Sequence, residues 1–127
     1  MEEEGSSRAI KLREEFYKGT REIRAPDLLL YEVANALRYH PGFTAADVQT
    51  CIQSLFDMQI EIVAPTGFLL KRAIEIAMSE GVTCYDAIYL ALAEDLAEEF
   101  ITADEKLYRK LSSKRKKEVH LLKEVIP

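Results

Sequence analysis

The chain contains the stretch Val82-Thr83-Cys84-Tyr85-Asp86-Ala87-Ile88-Tyr89-Leu90-Ala91-Leu92-Ala93, in which a single acid is followed by seven consecutive apolar residues. A helix that is apolar on every side is buried rather than amphipathic, so we predict a core helix over about 85–96. Asp86 then stands at the rim of the core, where a carboxylate is costly unless a cation or hydrogen-bond donors meet it. The partner of Asp86 is therefore the first question that the sequence raises.

Length and composition indicate an ordinary soluble domain. At 127 residues the chain has the length of one domain, and we predict a single domain over 1–127. Hydrophobic residues make up 48% and charged residues 31% of the sequence. Apolar runs are far shorter than a membrane span, and the acidic start Met1-Glu2-Glu3-Glu4 is unlike a signal peptide. We therefore expect a cytoplasmic protein without membrane contact. Cys51 and Cys84 are interpreted as small buried hydrophobic residues.

The net charge of −5 argues against a protein that coats nucleic acid by bulk electrostatics. It is compatible with an enzyme that handles nucleic acid through a local, acidic, metal-loaded pocket. The one basic cluster, Lys114-Arg115-Lys116-Lys117, is interpreted as a solvated loop before the last strand, and contact with phosphates is the alternative.

Helical and strand patterns alternate along the chain. Helices are predicted over 6–18, 27–39, 44–58, 66–81, 85–96 and 104–111, and strands over 21–25, 60–63, 99–103 and 119–125. Pro26 is expected in the first turn of a helix, Thr44 and Thr66 as N-caps, and Gly81 as a helix stop. Strands separated by helices indicate an α/β fold with a parallel-type sheet flanked by helices.

Three acids stand where such a fold places its ligand sites, beyond the C-terminal ends of strands. Asp104 follows the strand 99–103, Asp86 opens the buried helix, and Glu32 lies inside an apolar run early in a helix. If they converge, they form a site for a hard divalent cation, because Mg²⁺ prefers carboxylate oxygens and keeps bound waters. One of those waters can become the nucleophile in phosphodiester hydrolysis.

Each acid also has a purely structural interpretation. Glu32 shares an arc with Asn35 and Tyr39, which is the polar stripe of an amphipathic helix. Thr83 and Asp86 fit a variant of the capping box, and Asp104 fits the N-cap of a short helix.

Three motifs in order resemble the PIN domain family, and within it the compact prokaryotic ribonucleases typified by VapC-type toxins. The resemblance covers the chain from about residue 5 to its end. The motifs are Pro26 followed by Glu32-Val33-x-Asn35-x-Leu37, then Tyr85-Asp86-Ala87 with Ala91-x-Ala93-Glu94, and then Ile101-Thr102-Ala103-Asp104-x-x-Leu107.

The resemblance implies a three-layer α/β/α fold and a Mg²⁺- or Mn²⁺-dependent endoribonuclease that cleaves RNA. It also implies a homodimer held inactive by an antitoxin protein. Glu32, Asp86 and Asp104 fall on the family's metal-binding, catalytic acids. Thr102 matches a hydroxyl that supports the cluster, and Asn35 matches a less constant polar neighbour.

One departure concerns the start of the chain. The family's first metal-binding aspartate lies on a first β-strand, upstream of the acidic stretch that Glu3-Glu4-Gly5-Ser6 resembles. We therefore expect this chain to lack that strand and that ligand, and to be N-terminally incomplete. The alternative function is then a catalytically impaired PIN-like module that dimerises or binds an antitoxin. A third possibility is another α/β protein with an acidic Mg²⁺ pocket, such as a receiver-like domain, but the paired acids and the lysine of a receiver are not evident.

Overall fold

Residues 22–102 and 104–121 are described by the structure, which is a computed structural model. The chain forms two compact units. The smaller unit is Ile23–Pro65, and the described residues from 66 onward belong to the larger unit. The predicted helix over 6–18 and the question of a first strand lie outside the described residues.

The smaller unit contains two helices and a parallel pair of short strands. Its elements are β1 (Arg24–Pro26), α1 (Leu28–Arg38), α2 (Ala45–Asp57) and β2 (Glu61–Val63). Ala25 of β1 pairs with Ile62 of β2 in parallel register. The predicted N-cap Thr44 is confirmed, because its side chain and that of Asp47 form a complete capping box at the start of α2.

Pro26 is the last residue of β1 and not, as predicted, part of the first helical turn. It pairs with Val63, and the backbone N–H of the next residue, Asp27, donates to the Val63 carbonyl at 3.2 Å. A proline is tolerated there because the bond that joins the strands comes from the residue after it. The helix α1 consequently begins at Leu28, with Asp27 as an N-cap whose side chain makes no capping bond.

The larger unit is built around two helices, α3 (Gly67–Glu80) and α4 (Cys84–Asp95), which pack against each other. Its fully buried alanines, Ala73, Ala87 and Ala91, let the helix backbones approach closely. The predicted cap and stop of α3 are confirmed: the Thr66 side chain accepts the Leu69 N–H, and Gly81 ends the helix at a φ of +69°. The buried helix predicted from the sequence is α4.

A second parallel pair completes the larger unit. It consists of β3 (Phe100–Thr102) and β4 (Val119–Leu121), joined through α5 (Glu105–Lys110) and a one-turn helix α6 (Ser113–Lys116). The buried apolar side chains around α5 and β4 are Leu107, Leu111, Val119 and Leu121. The alternation of helices with parallel strands confirms the predicted α/β class, while the single-domain assignment for 1–127 stays a prediction. In the part of the chain that the structure describes, no helix is both long and apolar enough to cross a membrane.

Candidate functional site

Asp86 occupies the first turn of α4 but does not cap that helix with its carboxylate. The Thr83 hydroxyl accepts the Asp86 backbone N–H at 3.1 Å, which satisfies one of the free donors at the helix start. The predicted capping box is therefore only half formed. The half-buried Asp86 carboxylate has no hydrogen-bond or ion-pair partner among residues 22–102 and 104–121. Asp86 thus lies at the edge of the core, as the sequence predicted, and no described residue neutralises its charge.

Asp104 follows β3 and is the N-cap of α5, as its structural interpretation predicted. Its Oδ1 accepts the Leu107 N–H at 3.0 Å, and its own backbone N–H donates to the Thr102 hydroxyl at 3.0 Å. Thr102 thus supports the backbone that carries Asp104. One carboxylate oxygen of Asp104 is occupied by the cap, and the other has no partner within the described ranges.

The two acids belong to elements that pack together in the larger unit. The rings of Tyr89 in α4 and Phe100 in β3 stack with centroids 5.6 Å apart. The short connection 96–99 turns tightly, with Ala97 at a φ of +54° and the Glu98 N–H donating to the Ala93 carbonyl at 2.8 Å. Because this connection is so short, β3 runs back along α4 in the opposite direction. The start of α4 and the end of β3 therefore lie toward the same side of the larger unit.

Glu32 and Asn35 belong to the smaller unit. Both lie on α1 with exposed side chains. The convergence of Glu32 with Asp86 and Asp104 stays a prediction. Within the described residues, neither unit contains a group of three or more histidine, cysteine, aspartate or glutamate side chains arranged to hold a metal ion.

The basic cluster is not the solvated loop that the sequence predicted, because Ser113–Lys116 forms α6 with Ser112 as its N-cap. The Arg115 side chain is only 13% exposed and lies 3.6 Å from Glu80, 3.5 Å from Glu94 and 3.1 Å from Glu118. Arg115 is therefore a structural ion-pairing residue that ties α6 to α3 and α4. Lys114 and Lys117 remain exposed.

Glu80 is the most enclosed carboxylate of this ionic cluster, with a side chain 9% exposed. Burial alone would raise the pKa of Glu80. The backbone N–H and the hydroxyl of Ser112, each donating at 2.8 Å, and the charge of Arg115 outweigh burial and hold that pKa below its ordinary value of 4.5. The pKa of Glu94 is also lowered, because Arg72 donates two hydrogen bonds to its carboxylate, at 2.6 and 2.8 Å. Both acids are thus held ionised.

Replacing Glu80 with glutamine is expected to reduce the free energy of unfolding by about 2 kcal/mol at pH 7, because a charged acceptor of several donors is lost. A carboxyl with a lowered folded-state pKa stabilises the protein above its unfolded-state pKa, and loses that contribution as the pH falls through the folded-state value. The difference between wild type and Glu80→Gln should therefore shrink as the pH falls below 4.5. Urea unfolding at a series of pH values measures this difference in the free energy of unfolding. Glu75→Gln is the control, because Glu75 is an exposed carboxylate on the same helix. A difference that does not depend on pH would contradict the assignment.

Tyr85 was part of a recognised motif but received no role from the sequence. The structure places its side chain 67% exposed at the start of an otherwise buried helix, one residue before Asp86. The signal that could have drawn attention to it is an aromatic residue beside the acid at the polar mouth of an apolar helix.

Two comparisons with known proteins bear on this arrangement. The sequence profile of the PIN domain matches residues 2–111. Ribonuclease VapC3 of Pyrobaculum aerophilum is 36% identical over 93 residues, which cover 70% of this chain and 71% of that protein. The profile match spans all three motifs that carry the resemblance, and the recognition of a VapC-type protein is confirmed. The chain belongs to the PIN domain family.

Proposed function

We propose that the protein is a metal-dependent endoribonuclease of the VapC type that hydrolyses phosphodiester bonds in RNA. Its PIN family membership and its similarity to a protein named as a ribonuclease support this function. The observation in the structure that carries the proposal is the Asp86 carboxylate.

That carboxylate is half-buried, has no partner in the described part of the chain and is not needed as a helix cap. A partly desolvated carboxylate without a donor is costly to the folded protein, so a natural protein keeps one for a reason outside folding. A hard divalent cation such as Mg²⁺ or Mn²⁺ is the partner that this chemistry fits, because it takes oxygen ligands.

The residues that would hold the cation are Asp86, the free oxygen of Asp104, and Glu32. Bound there, the cation would lower the pKa of an attacking water and offset the charge that develops on the phosphate. The protein itself positions two of these metal ligands. The Thr83 hydroxyl accepts the backbone N–H of Asp86, and the Thr102 hydroxyl accepts that of Asp104. Asn35, one turn from Glu32 on α1, is assigned a supporting role.

The partners proposed with this activity are an RNA substrate, a second copy of the chain and an inhibitory antitoxin protein. The cytoplasm is the proposed location. Membership of the PIN family and the similarity to a protein named as a ribonuclease support these proposals.

A fluorophore–quencher RNA incubated with the purified protein tests the proposal. We expect fluorescence to rise with Mg²⁺ or Mn²⁺, to stop rising when EDTA is added, and to resume with excess metal. Circular dichroism of the same sample confirms that the protein is folded. Absence of cleavage by the folded protein would reject the ribonuclease, and cleavage that EDTA leaves unchanged would reject the dependence on metal.

A second candidate, a catalytically impaired PIN-like module that dimerises or binds an antitoxin, is favoured by one surface feature. Leu70, Ile74 and Met78 recur at helical spacing on α3 and are all exposed. Such a stripe on a surface helix suits contact with another protein. Titration calorimetry with Mn²⁺ and light scattering separate the candidates: self-association or partner binding without any Mn²⁺ binding supports the module, and Mn²⁺ binding argues for the enzyme.

A further inference from the structure

Tyr85 combines exposure with a position beside the candidate catalytic acid. Among the described residues of the larger unit, two aromatic side chains are strongly exposed, Phe68 at 72% and Tyr85 at 67%. Only Tyr85 adjoins Asp86. In the first turn of α4 the Cα–Cβ bonds of Tyr85 and Asp86 both tilt toward the helix N-terminus, while the two side chains point about 100° apart around the helix axis. The Tyr85 hydroxyl has no hydrogen-bond partner within residues 22–102 and 104–121.

The charge of the protein limits how it can hold RNA. With a net charge of −5, bulk attraction to phosphates is weak. The basic cluster offers less than its sequence suggests, because Arg115 is engaged with Glu80, Glu94 and Glu118. Stacking of bases on an aromatic ring does not depend on net charge, and it is a common way in which proteins hold single-stranded RNA.

We propose that the Tyr85 ring stacks on an RNA base next to the phosphate that is cleaved, and so positions the substrate at Asp86. The proposal rests on the ribonuclease function proposed above. In a nucleotide the base and the phosphate are one sugar apart, so a phosphate beside Asp86 brings a neighbouring base within reach of the adjoining side chain. Tyr85 is thereby a substrate-positioning residue that favours single-stranded RNA, whose bases are free to stack.

Steady-state cleavage of a single-stranded RNA tests the role of the ring. Tyr85→Ala is expected to raise KM about ten-fold, the scale of one lost stacking contact, with kcat changed less than two-fold. Tyr85→Phe, which keeps the ring, should restore KM to near the wild-type value. Phe68→Ala removes an equally exposed aromatic ring of the same unit and serves as the matched control. A KM of Tyr85→Ala equal to that of wild type and of Phe68→Ala would overturn the proposal.

A direct contact measurement separates this proposal from the hydrolytic function. RNA carrying 5-iodouridine is irradiated with the wild-type protein, and the crosslinked peptide is identified by mass spectrometry. A crosslink at Tyr85 supports stacking even if the protein cleaves no RNA, an outcome that would reject only the ribonuclease. Cleavage by the wild type without any crosslink at Tyr85 would reject the stacking and leave the ribonuclease intact.

Discussion

Exchange of Asp86 for asparagine is expected to lower the rate of RNA cleavage about 100-fold or more while leaving the fold intact. A metal ligand supports several kcal/mol of transition-state stabilisation, and a loss of about 3 kcal/mol reduces a rate by more than two orders of magnitude. Stability should be equal or slightly higher, because the cap of α4 uses the Asp86 backbone N–H and the Thr83 hydroxyl rather than the carboxylate, and the exchange removes a half-buried charge that has no partner among the described residues. Cleavage rates and urea unfolding curves of the two proteins measure both expectations.

Asp95→Asn is the matched control, since it removes one negative charge from the exposed end of the same helix. Loss of cleavage in both variants would mean that overall charge, not the site, governs activity. An Asp86→Asn protein as active as wild type would contradict the assignment of Asp86.

Two replacements of Asp104 separate its role as a helix cap from its proposed role in cleavage. Asparagine caps a helix as well as aspartate does, so Asp104→Asn should lower only the cleavage rate. Asp104→Ala should also cost about 1 kcal/mol of stability.

Replacing Ile76 with alanine is expected to lower the free energy of unfolding by about 3 kcal/mol. Ile76 is fully buried on α3, the helix that packs against α4, and a truncated core isoleucine loses its transfer free energy and leaves a cavity. Urea unfolding monitored by circular dichroism measures the change, read from the midpoint at constant slope.

Ile74→Ala provides the control for the same chemical change two residues away. Ile74 is 49% exposed, so its truncation should cost well under 1 kcal/mol. Equal losses in the two variants would mean that Ile76 is not in the core of the larger unit. The pair therefore tests the packing of α3 on α4, on which the position of Asp86 depends.

Local features of the fold were predictable from the sequence because their causes are local. Thr44 and Thr66 cap helices through side chains that reach only three residues ahead, and Gly81 ends α3 because glycine adopts a positive φ without steric cost. The buried helix was predictable from its continuous apolar run. Pro26 was misplaced because β1 is short, and its pairing with Val63 joins residues far apart in the sequence.

Features that depend on tertiary contacts were not predictable. Arg115 looked like one of four solvated cations, but its partners Glu80 and Glu94 belong to helices that lie well before it in the chain. The acids of the candidate site were identified by residue type and motif order. Only the structure shows the hydrogen bonds of each acid. The Asp104 carboxylate caps α5 through one oxygen, whereas the Asp86 carboxylate makes no hydrogen bond to a described residue.

The separate roles of Thr83 and Asp86 have a consequence for how such proteins diverge. Because Thr83 alone secures the start of α4, a change at position 86 carries little folding penalty, and a single-base change from an aspartate to an asparagine codon is enough. Selection on stability would not remove that variant, so under the proposed function a lineage can lose catalysis in one step and keep a folded protein. At position 104 the carboxylate that we propose as a metal ligand also caps α5, so a replacement that cannot cap would lower stability as well.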